Sequence, residues 1–170
     1  MYNIPTQVNN NYQPKKKNFL VHILVLIISI ILVSIGIRYI KVFNTHGHSM
    51  QPTINDDSFV ICIKTKEINP GDIVAFYSGG SPKIKRVIAL AGDTISIDNT
   101  GAVRINDKVL KEDYLNNTVN GESEITFPHT VENSSVFVLG DNRGNSIDSR
   151  HFQIGDVSLD DIICEVNLVL

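Results

Sequence analysis

The sequence predicts a mostly β domain that follows a single membrane-spanning helix. Residues 19–37 read FLVHILVLIISIILVSIGI and contain no charged side chain. As a helix this segment is about 28 Å long, which matches the roughly 30 Å hydrocarbon core of a bilayer. After Lys41, apolar residues occur in short runs between turn residues, and no stretch keeps the 3.6-residue period of an amphipathic helix. These runs indicate β-strands.

The apolar segment has two interpretations, a retained anchor and a cleaved signal peptide. The tripeptide at 34–36, Ser-Ile-Gly, is only a weak small-x-small cleavage site. The segment also ends in RYIK, as a membrane edge does, so we favour a retained anchor. Three lysines at 15–17 predict a cytoplasmic N-terminus and an extracytoplasmic domain. Residues 1–18 are polar and are expected to form a disordered cytoplasmic tail.

Residues 42–170 form the predicted β domain. The predicted strands lie in SFVICIKT, IVAFYS, KIKRVIAL, the hairpin TISIDNTGAVRIND, SSVFVLGDN and DIICEV. Pro70 and Gly71 suit the turn before the second strand, and Gly101 supplies a positive-φ position in the hairpin. The polar residues 111–120 are compatible with either a short helix or an open loop.

Composition limits the class of protein. The net charge is −3, and no basic region indicates nucleic-acid binding. The two cysteines, Cys62 and Cys164, lie in separate apolar runs. We expect them to be free, buried thiols. A disulfide is the alternative, and it needs Cα atoms roughly 4.4–6.8 Å apart.

The stretch THGHSMQPTI raises the question of which group could activate Ser49. GHSMQ is not the G-x-S-x-G nucleophile elbow, because Gln51 stands at the second glycine. His48 is a poor base, since adjacent side chains of an extended chain point to opposite faces. His46 and His48 could bind a metal as an H-x-H pair, but no other histidine has a supporting spacing. We expect no metal and no cofactor.

The segment IKRVIALAGD offers a different base. On a strand Lys85 and Arg86 point to opposite faces, so that one of them can point inward. A lysine among apolar neighbours loses its proton more easily and can act as a general base near neutral pH. Two ordinary surface cations are the alternative, and the segment alone favours that alternative. A third segment, GDNRGNSIDSR, is dense in hydrogen-bonding side chains.

Together these segments resemble the ordered sequence motifs of bacterial type I signal peptidases, which are membrane-anchored Ser–Lys endopeptidases. The motifs read GHSMQPTI, NPGDIVAF, KRVIALAGD and GDNRGNSIDSR. The resemblance implies an antiparallel β catalytic domain with a small β insertion at about residues 93–136. It also implies that the substrates are exported preproteins, cleaved after a small-x-small motif.

The resemblance makes Ser49 the nucleophile, Lys85 the general base and Ser146 the residue that orients the lysine amine. Gly47 stands where Gram-negative members have a serine that completes the oxyanion hole, so the pattern is similar to that of Gram-positive members. The oxyanion hole would then consist of backbone N–H groups, including that of Ser49.

Two further sets of residues follow from the resemblance. Asp148 would pair with Arg86 and with Arg150. The substrate would bind as an extended strand, with its P1 and P3 side chains in two shallow apolar pockets. The expected pocket residues are Phe43, Met50, Ile54 and Ile84.

Two rival functions differ in class. A self-cleaving Ser–Lys regulator has a similar catalytic fold, but such proteins are cytosolic and carry a DNA-binding module, which this chain lacks. A non-catalytic membrane assembly factor could instead hold secreted subunits in a peptidase-like groove. Loss of the serine or the lysine would indicate that function, and both residues are present. The expected partners are therefore preproteins and the lipid bilayer, and no nucleic acid.

Overall fold

The chain begins with a long helix. The computed structural model describes residues 16–115 and 121–170. The helix, α1, runs from Lys16 to Tyr39, and its portion Phe19–Tyr39 is long and apolar enough to cross a membrane. The predicted span, residues 19–37, thus lies inside one continuous helix. The predicted tail, residues 1–18, lies outside the described residues except for its last three, which begin α1.

The rest of the described chain forms a β domain with two antiparallel sheets, which confirms the predicted fold class. The strands, in chain order, are β1 Ile40–Asn44, β2 Phe59–Ile63, β3 Ile73–Ser78, β4 Ser81–Leu90, β5 Thr94–Ile97, β6 Val103–Ile105, β7 Lys108–Val109, β8 His129–Thr130, β9 Ser135–Leu139, β10 Val157–Ser158 and β11 Ile162–Val169. The larger sheet has the order β1-β2-β11-β3-β4-β9-β10, and the smaller has the order β7-β6-β5-β8.

Every predicted strand is present. β5 and β6 form the predicted hairpin, with Gly101 at a φ of 87°. The sequence patterns do not reveal β1, β7, β8 or β10. β1 follows α1 directly, with no turn residue between them to mark a separate element, and the other three have two residues each, too few for an alternating pattern. Residues 111–115 form turns and open chain, and residues 116–120 lie outside the described residues.

β4 is the strand that positions the site. Its residues 81–86 pair with β3, whereas its residues 86–90 pair with β9 on the other side. The register therefore leaves residues 81–85 without a described strand on the side away from β3. A strand edge with unpaired backbone groups can accept another extended chain.

The expectation of two free cysteines is wrong, because Cys62 and Cys164 form a disulfide. β2 and β11 are neighbours in the larger sheet, and the two Cα atoms lie 5.6 Å apart, within the range a disulfide requires. Both side chains are buried. Sequence patterns could not reveal this pairing, since 102 residues separate the cysteines and only the sheet order brings them together.

Candidate active site

A cleft of about 560 Å³ opens at the free edge of β4 and contains both Ser49 and Lys85. All four predicted pocket residues line it, together with Ser146. Those four pocket residues are Phe43, Met50, Ile54 and Ile84. Met50 and Ile54 are buried and pack in one hydrophobic cluster with Val60. The cleft thus has an apolar wall beside the two candidate catalytic groups.

Ser49 and Lys85 are 36 residues apart in the chain and in direct contact in the fold. Lys85 Nζ lies 2.8 Å from Ser49 Oγ and 2.9 Å from the carbonyl oxygen of Ile84. Lys85 comes from the buried part of β4, and Ser49 from the loop between β1 and β2. The contact has the length that proton transfer between a nucleophile and its base requires.

Burial lowers the pKa of Lys85 from its usual value of 10.5 to about 8. The charges of Asp148 and Asp141 oppose this shift, and the charge of Lys83 adds to it. No described carboxylate forms a salt bridge with the amine. A substantial fraction of Lys85 is therefore neutral slightly above neutral pH, as a general base requires.

The loop that follows β9 holds the backbone around Ser49. The Asn142 amide donates to the Ser49 carbonyl oxygen, and the Asn142 side chain donates to the His48 carbonyl oxygen, both at 3.0 Å. Gly140 lies so close that a Cβ there would collide with the Ser49 carbonyl oxygen and the Ser146 side chain. The sequence motif contains this glycine, but only the fold shows why no side chain fits.

Ser146 lies in the cleft but not in the predicted contact. It follows a short 3₁₀ turn, Arg143–Asn145, and lines the same cleft as Lys85. Its hydroxyl is shielded from solvent and interacts with Asp148, where it helps to lower the pKa of that carboxylate, and no described hydrogen bond joins it to the Lys85 amine.

Two buried ion pairs support the loop, and one differs from the prediction. Asp148 pairs with Arg150, as expected, with nitrogen–oxygen distances of 2.8 and 2.9 Å. The predicted pair between Asp148 and Arg86 is wrong, because Arg86 binds Asp141 at 2.8 and 2.6 Å. Arg86 lies opposite Leu139 of β9, and Asp141 follows two residues later at the same strand end.

The charge of Asp148 is kept by its arginine. Burial alone would raise the pKa of Asp148, but the hydrogen bonds and charge of Arg150 lower the pKa below its usual range. The Gly140 amide donates to the same carboxylate at 3.0 Å. Asp148 therefore remains ionised and holds the loop on both sides of Ser146.

His46 and His48 line the cleft, and both are exposed. His46 is exposed, and its Nδ1 lies 3.2 Å from an Asp57 carboxylate oxygen. No described histidine side chain hydrogen-bonds to Ser49, whereas the Lys85 amine does. His46, Asp56 and Asp57 are close enough to share an ion, but all three are exposed and Asp56 already accepts the Gly47 amide.

Comparisons with known proteins agree with this geometry. A family model described as signal peptidase, peptidase S26, matches residues 17–170. The chain belongs to this family. Signal peptidase I U of Bacillus subtilis (strain 168) is 33% identical over 171 residues, covering 91% of this chain and 88% of that protein. Signal peptidase I S of the same strain is 31% identical over 150 residues, covering 81% of each chain.

A solved structure supports the same conclusion. The crystal structure of a signal peptidase I from Enterococcus faecalis V583 matches with a TM-score of 0.53 and 32% identity, covering 61% of this chain and 100% of that one. The resemblance predicted from the motifs is thus confirmed. This signal peptidase is a serine endopeptidase that removes signal peptides from preproteins. Nothing in the comparisons supports the non-catalytic assembly factor.

Proposed function

We propose that Ser49 and Lys85 form the catalytic dyad of this signal peptidase. Neutral Lys85 takes the proton of Ser49 Oγ as that oxygen attacks the scissile carbonyl. The resulting ammonium then protonates the leaving amine, which releases the mature protein and leaves the signal peptide as an ester on Ser49. Lys85 next activates a water that hydrolyses the ester. The observation that carries this proposal is the 2.8 Å contact between the two groups in a buried site.

The oxyanion that forms in this step needs donors. The Ser49 amide donates to no described group, so it is available to the substrate's carbonyl oxygen. Gly47 adopts a φ of 101°, which favours glycine, and its own amide donates to Asp56 at 2.8 Å. We infer that the Ser49 backbone N–H contributes to the oxyanion hole.

Four residues support the dyad in this proposal. Ser146 orients the lysine amine once substrate binds, and the position of its shielded hydroxyl in the cleft that contains Lys85 supports this role. Asp148 and Arg150 fix the loop that carries Ser146. Arg86 holds β4 against Asp141 directly beside the base.

The substrate would add a strand at the free edge of β4, residues 81–85. Alternate side chains, P1 and P3, then enter the apolar cleft. The apolar residues proposed to form the P1 and P3 pockets are Phe43, Met50, Ile54 and Ile84, all of which line the cleft. Small apolar pockets admit alanine and exclude large or charged residues, so cleavage follows a small-x-small motif. Equal cleavage of preproteins with alanine, leucine and lysine at P1 would exclude this pocket assignment.

The membrane arrangement is also part of the proposal. Residues 1–18 would be cytoplasmic, residues 19–37 would span the bilayer, and residues 42–170, with an insertion at about 93–136, would lie outside the cytoplasm. The Cys62–Cys164 disulfide supports this orientation, since disulfides persist in oxidising compartments. Removing residues 1–41 should leave peptide cleavage largely intact but weaken processing of membrane-bound preproteins, because tethering raises the local enzyme concentration.

The test of the dyad is a cleavage assay with a purified preprotein. Ser49→Ala removes the nucleophile and should leave the preprotein uncut. The double variant with Lys85→Met should be little worse than either single variant, because the pair acts as a unit. Substantial cleavage by folded Ser49→Ala would place the nucleophile elsewhere.

A further inference from the structure

A polar segment that follows β7, residues 111–114, contacts the loop at residues 140–150. This loop packs against the backbone of Ser49. Both carboxylate oxygens of Glu112 bind the Arg143 guanidinium, at 2.5 and 3.2 Å. The two side chains are 8% and 4% exposed, although the surrounding run of residues is polar. A buried, bidentate pair between two such distant parts of the chain fixes their relative position.

Arg143 connects Glu112 to the backbone around Ser49. Its Nε donates to the Gly140 carbonyl oxygen at 3.0 Å, and its own carbonyl oxygen accepts Arg150 Nη2 at 2.8 Å. Gly140 has no room for a side chain, because it packs against the Ser49 carbonyl oxygen and Ser146. A shift of Arg143 would therefore move the nucleophile.

Tyr114 makes the corresponding contact to β4. Its hydroxyl donates to Glu112 Oε1 at 2.6 Å, and its ring lies 4.0 Å from the Arg86 guanidinium carbon. Arg86 directly follows Lys85 and also binds Asp141 and the Gly71 carbonyl oxygen. The hydroxyl and the ring of one tyrosine thus connect the strand of the base to the carboxylate that holds the serine loop.

We propose that Glu112 and Tyr114, together called the strut, are positioning residues for peptide hydrolysis. The strut holds β4 and the loop at 140–150 together, so that Lys85 Nζ stays buried and in contact with Ser49 Oγ. Neither residue touches the substrate. A buried ion pair adds little net stability, so fixed geometry is the better reason for keeping this one. This inference rests on the proposed Ser49–Lys85 dyad.

The test uses the full chain in detergent and a peptide that spans a cleavage site. The variants are Tyr114→Leu, Tyr114→Phe and Glu112→Gln, and the matched control is Asp113→Asn, whose exposed carboxylate pairs only with Lys111 among the described residues. Tyr114→Leu should lower kcat on the order of 10-fold with little change in KM, because misplaced groups slow the chemical step.

The pH profile separates positioning from mere folding. Water that enters the loosened site would reverse part of the burial that lowers the pKa of Lys85 to about 8. The rising limb of kcat/KM should therefore move to higher pH in Tyr114→Leu and Glu112→Gln, and higher pH should restore part of the activity. Tyr114→Phe loses only the hydroxyl and should shift in the same direction by less.

Folded strut variants that match Asp113→Asn in kcat and in pH profile would overturn the proposal, as would an effect on KM alone. If Glu112→Gln fails to fold by thermal melting, Tyr114→Phe and Tyr114→Leu decide the question, and an unchanged rising limb in both contradicts the strut. Failure of the dyad would look different, because Lys85→Arg would then remain active.

Discussion

The two faces of β4 carry adjacent cations in opposite surroundings. Lys85 and Arg86 are 5% and 9% exposed, so both are largely removed from water. Lys85 faces the cleft and the Ser49 hydroxyl, and burial lowers its pKa to about 8. Burial alone would also lower the pKa of Arg86, but the hydrogen bonds and charge of Asp141 raise the pKa above its usual value.

The difference shows that the partner, and not burial alone, decides what a buried cation does. A carboxylate in contact keeps Arg86 charged and makes it a structural tie between β4 and the next loop. The absence of such a contact among the described residues lets Lys85 lose its proton. In the proposed dyad, the same strand therefore supplies the base on one face and a structural ion pair on the other.

The largest expected effect is the loss of turnover when Lys85, on the cleft face of β4, is replaced by arginine, the residue type found on the opposite face. Lys85→Arg keeps a cation of similar length, but a guanidinium cannot give up its proton in this pH range. We expect turnover to fall by about 10³-fold or more, the upper range for loss of a general base. Steady-state cleavage of a peptide measures this loss, with the exposed Lys66→Arg as the control. A largely active Lys85→Arg would contradict the dyad.

The structural role of the Arg86–Asp141 pair, on the opposite face of β4, is tested by removing the Asp141 carboxylate. Asp141→Asn leaves the Arg86 guanidinium buried without a countercharge, and breaking a buried pair in this way costs about 3–5 kcal/mol of the free energy of unfolding. Chemical denaturation measures the change, and Asp113→Asn, which breaks an exposed pair, is the matched control. Equal stability of the two variants would show that the Arg86–Asp141 pair is not a structural tie.

A smaller effect should come from removing the unpaired cation itself. Below pH 8 the Lys85 amine is charged in the folded and the unfolded chain, and its burial destabilises the fold. Because its pKa falls from 10.5 to about 8, Lys85→Met should be roughly 3 kcal/mol more stable at pH 7.

The size of that stability difference should decrease with rising pH in a defined way. Between pH 8 and 10.5 only the unfolded chain keeps the proton, so the stability of the native protein rises relative to the variant. The gap should close above that range. Denaturation curves at pH 7 and at higher pH, compared between Lys85→Met and the native protein, test this. If the difference in free energy of unfolding between Lys85→Met and the native protein did not depend on pH, the charge of Lys85 would not destabilise the fold.

The smallest expected effect concerns Lys83, which lines the same cleft two residues before the base. Its positive charge helps to lower the pKa of Lys85. Lys83→Gln should therefore shift the rising limb of kcat/KM slightly to higher pH and leave the maximal rate nearly unchanged. A shift to lower pH would show that the two amines do not interact as proposed.

The sequence predicts one face of β4 better than the other. The apolar runs predict the strands because a buried strand needs apolar side chains, and the ordered motifs indicate Ser49 and Lys85 across a gap of 36 residues. These patterns do not predict which aspartate pairs with Arg86. The motif GDNRGNSIDSR offers two aspartates, and only the register of β4 against β9 shows that Asp141 is the one that reaches Arg86.

Other long-range contacts could not be predicted from the sequence either, because they depend on how distant segments pack. The cysteines pair because β11 inserts beside β2, which depends on the sheet order and not on local pattern. Glu112 and Tyr114 lie in a polar run that has no periodicity, so nothing in the sequence marks their side chains as buried. Long-range polar contacts carry no local signature.

The most direct test of the neutral lysine is the pH dependence of kcat/KM, which reports the pKa of the essential base in the free enzyme. With a peptide substrate and the full chain in detergent, the rate should rise with pH through a single midpoint near 8, the pKa of Lys85. His46→Ala and His48→Ala should keep that midpoint. A midpoint near 6.5, the value of an unperturbed histidine, that disappears in His48→Ala would contradict the account and return the base to the histidines.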